Sequence, residues 1–205
     1  GATLAAINFA TSNISGSTSY SWTNDTSSIG LAASGNGNIT AFSAVNIGTS
    51  PIVATIQVTP SYTNNGIICS GLPTSFTITV NPTAQVNAVA NQILCNGTTT
   101  ATVAFSTINT GGTTSYNWTN SNTAIGLAGS GSGTINSFNV TNTTPNPITG
   151  IITVTPSFSN GTPACAGPTQ SFTITVNPSP AVSFSPTNQT ICSGDTSVLV
   201  NLSST

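Results

Sequence analysis

Residues 170–178 read QSFTITVNP, and 96 positions earlier residues 74–82 read TSFTITVNP. In the later copy Phe172, Ile174 and Val176 have one parity, and Thr173 and Thr175 have the other. Successive side chains of a strand point to opposite faces, so this stretch makes one apolar face and one polar face. Threonine is β-branched and polar, which suits the wet side of a half-buried strand. The Asn-Pro that follows ends the run, because proline fixes φ and holds the preceding residue extended. The same β-strand, dry on one side and wet on the other, therefore occurs twice.

The self-similarity extends outward from these strands. SYSWTNDTSSIGLAASGNGNI at 19–39 answers SYNWTNSNTAIGLAGSGSGTI at 115–135. Trp22 to Trp118, Cys69 to Cys165 and Phe76 to Phe172 are each 96 apart, and Gly1 falls on Gly97. NQILC at 91–95 returns as NQTIC at 188–192 with an offset of 97, so one residue is inserted there. Three segments follow: residues 1–80, a repeat lacking its opening strand; residues 81–178, a complete repeat; and residues 179–205, the start of a third. Short, stiff linkers at Asn81-Pro82 and Asn177-Pro178 separate them. Gly1 enters the pattern part-way, so the segment reads as a slice of something longer.

In the complete copy, alternation predicts strands near 84–90, 98–107, 114–119, 124–129, 133–141, 148–158 and 169–176. Ile152, Val154 and Phe158 share a face, as do Val103 with Phe105 and Phe138 with Val140. Gly-rich stretches at 129–133 and Asn160-Gly161 supply turns. Seven short strands in about 100 residues predict an all-β fold of immunoglobulin-like sandwich repeats arranged head to tail. Trp22 and Trp118 fall on the third strand, where a sandwich carries a core tryptophan. The functional alternative is a sugar-stacking platform. Tyr20 and Tyr116 share the parity of these tryptophans.

Composition excludes much chemistry. The 205 residues include no Lys, Arg or His, and the only acids are Asp25 and Asp195. Charged residues make up 1% of the chain, where a globular domain has about 25%. The 37% apolar content lies in strand-like runs, so a core can form and disorder is not expected. Without cations there is nothing to neutralise nucleic-acid phosphates or to make a polybasic membrane contact. No stretch approaches the roughly 20 apolar residues of a membrane-spanning helix. General acid–base work lacks a titratable pair, and no Ser or Thr nucleophile has a base. Carboxylate clusters for calcium are missing, as are the His residues and CxxC spacing of a zinc site. No catalytic residue, metal or cofactor is expected, and the chain does not read as an enzyme.

The combination YxWTN, IGLAxSGxG, VTP, CxG and FTITVNP covers essentially the whole chain. It resembles the PKD-like repeats of very large secreted proteins of Bacteroidota. The resemblance implies export by the type IX system and display on the cell surface, with gliding-motility adhesins as the best-known architecture. The repeats have no catalytic residues to carry over. The leading expectation is a stalk or spacer in a long extracellular adhesin or fibre, whose partners are the flanking repeats of the same polypeptide. A second is a module that binds polysaccharide or a surface. A third is a self-assembling filament, in which residues 179–205 donate a strand to a first repeat that lacks one.

Each full repeat carries two cysteines, of the Cys95 and Cys165 types; Cys192 and Cys69 are their copies. In a secreted chain such residues are read as disulfides. The turn before the second strand and the hairpin before the last lie at opposite ends of a sandwich, roughly 25–30 Å apart, whereas a disulfide needs Cα atoms within about 7 Å. This predicts bridges between neighbouring repeats, the Cys95 type of one to the Cys165 type of the next. The rivals are an intra-repeat Cys95–Cys165 bond and free buried thiols. Both aspartates open an Asp-Thr-Ser triplet, at 25–27 and 195–197. The triplet is similar to the Asp-Ser/Thr-x acceptor of O-glycosylation in Bacteroidota, which makes Thr26 and Thr196 candidate glycan sites. The plain alternative is an Asx-type turn.

Overall fold

The computed structural model describes residues 2–161 and 163–204. Gly1, the counterpart of Gly97, and Thr205, the end of the third segment, lie outside the described residues. The chain is all-β with several sheets, as two packed layers of strands around a core would require. Its contacts divide it into two compact units. The first comprises Gly1–Val86, Thr107–Ser115 and Pro156–Pro168; the second comprises Asn87–Ser106, Tyr116–Thr155 and Thr169–Thr205.

In the first unit, the long strand Ile52–Asn64 organises an antiparallel sheet. It pairs with Ser17–Asn24, with the hairpin strand Ile67–Ser70 and with Thr74–Val80. Ser34–Asn36 extends the sheet beyond Ser17–Asn24. A second, smaller layer holds Thr3–Leu4 against Phe42–Ser43, continued by the bridge between Ile7 and Ile39. Trp22, Ile29, Ile39, Ile56 and Ile78 form the buried centre, and Leu4, Ile7 and Phe42 of the smaller layer pack on it.

The second sheet runs in the order Ser130–Ser132, Thr113–Asn120, Ile148–Ser159, Gln170–Asn177, Gln92–Cys95, with Cys165–Ala166 joined to Ile148–Ser159. Its last pair is parallel: Gln92 stands opposite Ile174 and Cys95 opposite Asn177. The buried residues of the second unit include Trp118, Ile125, Ile152, Phe172 and Ile174 from this sheet and its turns, and Val103, Ile135 and Val140 from facing segments. Val182–Ser185 and Asn201–Ser204 form a separate antiparallel ribbon. Gln92 links its side-chain amide to both backbone groups of Ala101, and Gln189 does the same to Val198, 97 residues on.

The predicted strands at 114–119, 148–158 and 169–176 correspond to Thr113–Asn120, Ile148–Ser159 and Gln170–Asn177. Four others differ. Residues 84–90 are extended but carry no ladder, and the strand lies later, at Gln92–Cys95. Between residues 98–107 and 133–141 the pairing is reduced to the isolated bridges Thr99–Asn139 and Val103–Ile135. Side chains interrupt the ladder there, since Thr100 Oγ1 takes the Phe138 N–H and Gln92 takes Ala101. Residues 124–129 are not a strand: Thr123–Ile125 is a 3-10 turn, closed by Gly126 at φ 93°. A left-handed glycine reverses the chain without a Cβ clash and buries Ile125 fully. The strand resumes at Ser130–Ser132.

Candidate functional site

The Trp-Thr-Asn triplet ends each time on a buried carboxamide. Asn24 donates through Nδ2 to the carbonyls of Leu31 (3.0 Å) and Ala32 (3.3 Å), and its Oδ1 accepts the Thr26 N–H at 3.0 Å. Asn120 donates to Asn122 and Leu127, both at 3.0 Å, and accepts the Asn122 N–H at 3.0 Å. A second pair ties a loop to the last strand. Asn46 donates to the carbonyls of Ser50 and Val80, and Asn142 to those of Asn146 and Val176. A carboxamide offers two donors and an acceptor with no charge to desolvate. In a chain without Lys, Arg or His, these amides take over the satisfaction of buried loop backbone. The offset of 96 at Asn24/Asn120 and Asn46/Asn142 is the sequence signal that marks these residues.

Asp25 follows Asn24 and is fully exposed. Its Oδ1 accepts the Thr55 N–H at 2.8 Å and the Thr26 hydroxyl at 2.8 Å. These bonds, the backbone one first, hold its carboxyl below the usual carboxylate range. The counterpart of Asp25 is Ser121, whose Oγ accepts the Ile151 N–H at 2.9 Å. Both residues thus cap the same backbone position of the neighbouring strand. The Asx-type turn expected at Asp25 is made by Asn24 instead, through the Thr26 N–H. Thr26 is half-buried with its hydroxyl donated to Asp25, whereas Thr196 is exposed.

All four cysteines are free thiols; Cys69, Cys95 and Cys192 are exposed and Cys165 is half-buried. Cys165 stands opposite Phe158 in the hairpin before the last strand, and Cys95 stands opposite Asn177 at that strand's end. Trp22 and Trp118 are each 7% exposed, which leaves no open ring face for a sugar. Among the described residues their indole N–H groups have no hydrogen-bond partner, and no cluster of three His, Cys, Asp or Glu occurs.

An open groove of about 740 Å³ lies in the first unit, lined by Phe9, Asn13, Tyr20, Tyr62, Gly71 and Phe76 among others. The Phe9 and Tyr20 rings pack at 5.4 Å between centroids. The residues 96 positions after Asn13 and Gly71, namely Asn109 and Gly167, do not face open space. They hold the extended segment Pro82–Val86, in which Pro82, Ala84 and Val86 are buried. Asn109 Oδ1 accepts the Gln85 N–H at 2.7 Å and its Nδ2 donates to the Thr83 carbonyl at 3.1 Å. A Cβ on Gly167 would lie 1.8 Å from the Ala84 carbonyl oxygen, so only glycine lets the segment pass.

Set against protein-family models, curated proteins and solved structures, the chain matches none of them.

Proposed function

We propose that this chain is a load-bearing spacer from the stalk of a long extracellular, cell-surface adhesin or fibre, built from immunoglobulin-like, PKD-like units in tandem. The observation that carries this reading is the parallel pairing of Gln92–Cys95 with Ile174–Asn177. In the complete repeat the chain enters this pair at Gln92 and leaves it at Asn177, which are opposite ends of the ladder. Tension on the polypeptide therefore loads the ladder bonds in shear, all together, instead of opening them one by one. The Asn96 N–H to the Asn177 carbonyl (2.9 Å) and the Thr173 N–H to Asn91 Oδ1 (2.8 Å) lengthen the ladder at both ends.

Further support comes from the asparagine clamps, which fasten loops to strands by neutral bonds. Export by the type IX route and a place in a gliding adhesin belong to the same proposal and rest on the sequence resemblance, disulfides between neighbouring repeats rest on the short reach of a disulfide across a sandwich, and glycans on Thr26 or Thr196 rest on the Asp-Thr-Ser triplets. A spacer needs no ligand. Isothermal titration with a panel of soluble polysaccharides is expected to show no saturable heat. Saturable, sub-millimolar binding to one of them would replace the spacer with a binding module.

A further inference from the structure

Asn-Gly occurs four times, at 36–37, 65–66, 96–97 and 160–161. Glycine has no Cβ to crowd its amide nitrogen, so that nitrogen can reach the carboxamide carbon of the asparagine before it and close a five-membered ring. Closure needs two freedoms: an amide N–H that can give up its proton, and a carboxamide that can swing over it. We infer that the fold grants both at Asn65 and Asn160, which makes these two residues sites of spontaneous deamidation, and withholds them at Asn36 and Asn96.

Asn96 is locked at every atom the reaction needs. The Gly97 N–H donates to the Val140 carbonyl at 2.9 Å. The Asn96 carboxamide is held at both ends, with Oδ1 accepting the Asn142 N–H at 2.8 Å and Nδ2 donating to Ser179 Oγ at 3.1 Å. At Asn36 the lock is on the nucleophile: the Gly37 N–H donates to the Tyr20 carbonyl at 2.8 Å, and Asn36 itself is paired opposite Ser21 in the sheet. The carboxamides that clamp loops to strands are protected in another way. Asn24, Asn46, Asn120 and Asn142 are followed by Asp25, Ile47, Ser121 and Thr143, each of which carries a Cβ.

Asn65 and Asn160 lie on hairpins, with exposed side chains and, among the described residues, no hydrogen bond to the carboxamide or to the following glycine N–H. Asn65-Gly66 is the two-residue turn between Asn64 and Ile67, with φ of 48° and 79°, positive at both positions as a tight hairpin turn requires. Asn160-Gly161 follows Ile148–Ser159 and precedes Cys165–Ala166. The return strands are weak: all four residues of Ile67–Ser70 are exposed, and Cys165–Ala166 is two residues long. Such ends open locally at small cost, which brings the ring-closing geometry within reach. Asn160 follows a repeat in the same chain and is as exposed as Asn65, so the exposure belongs to the hairpin itself. In the reaction the glycine nitrogen bonds to Cγ, the Cγ–Nδ2 bond breaks, and the nitrogen's proton leaves with ammonia. Water then opens the succinimide at either carbonyl, giving aspartate or isoaspartate. Conversion of both residues takes the net charge from −2 to −4.

The test ages the 205-residue chain in warm, mildly alkaline buffer, folded in one sample and in concentrated denaturant in another. Pepsin digestion replaces trypsin, which has no site in a chain without Lys or Arg. Mass spectrometry of the peptides follows conversion at each Asn-Gly, and fragmentation separates aspartate from isoaspartate. In the folded chain Asn65 and Asn160 are expected to convert roughly tenfold faster than Asn36 and Asn96, the factor that one or two net hydrogen bonds set. In denaturant the four rates are expected to converge. Equal rates at all four sites of the folded chain would overturn the inference. So would amides retained at Asn65 and Asn160 under conditions in which the denatured chain loses them.

Discussion

Trp118 and Gly131 stand opposite one another on neighbouring strands, and the indole lies so close over the glycine that a Cβ there would be 2.2 Å from Cζ2. Trp22 and Gly35 repeat the relationship, with the same 2.2 Å. The SGxG motif is thus one half of a tryptophan seat, whose other half is the Trp-Thr-Asn triplet. Gly131→Ala forces the ring out of its place, and overpacking of this kind costs about 1–3 kcal/mol. Chemical denaturation is expected to show that loss, while Gly133→Ala, where a Cβ meets nothing within 4 Å, loses only the smaller amount due to its positive φ.

Asn120 carries three backbone partners from a buried position. Asn120→Ala leaves two carbonyls and an N–H without their bonds, with a penalty of about 1–3 kcal/mol for each group that water cannot reach. The variant is expected to lose several kcal/mol of stability and to expose the turn at 123–125. Hydrogen exchange at Gly126, whose N–H bonds the Thr123 carbonyl, reads out that local opening. Full protection at Gly126 in the variant would show that the clamp is dispensable.

Asp25 gives the stability of the first unit a pH dependence of known sign. Its folded-state pKa is lowered from 3.8, so its contribution is complete above the unfolded value and is lost as pH falls through the folded one. The melting temperature is expected to drop on acidification through and below the ordinary carboxylate range. Asp25→Ser copies the cap that Ser121 provides and is expected to flatten this dependence without harming stability at neutral pH. An unchanged acid limb in Asp25→Ser would place the titrating group elsewhere.

Much of the fold was legible in the sequence because the strands with unbroken alternation are also the longest ladders. Phe172, Ile174 and Val176 were placed on one face by parity, and all three are buried. What escaped was structure set by single special residues. Gly126 turns an apolar run into a 3-10 turn, and Gln92 and Thr100 break a ladder with their side chains. Alternation of apolar residues does not reveal where backbone bonds go, since extended residues such as 84–86 keep period two while bonding a side chain. The asparagine clamps were hidden for a related reason: Asn24 and Asn120 look like two more polar residues in an Asn-rich chain until their burial is known.

In the proposed spacer, tension is resisted by the parallel pair formed by Gln92–Cys95 and residues 174–177. Single-molecule pulling on the chain from its two ends measures this directly. A sharp unfolding peak is expected, at a force above that which opens an antiparallel pair loaded from one end. Leu94→Pro, which removes a backbone donor from the ladder strand, should lower it markedly. Smooth extension at low force, or a peak of the same height in Leu94→Pro, would contradict it.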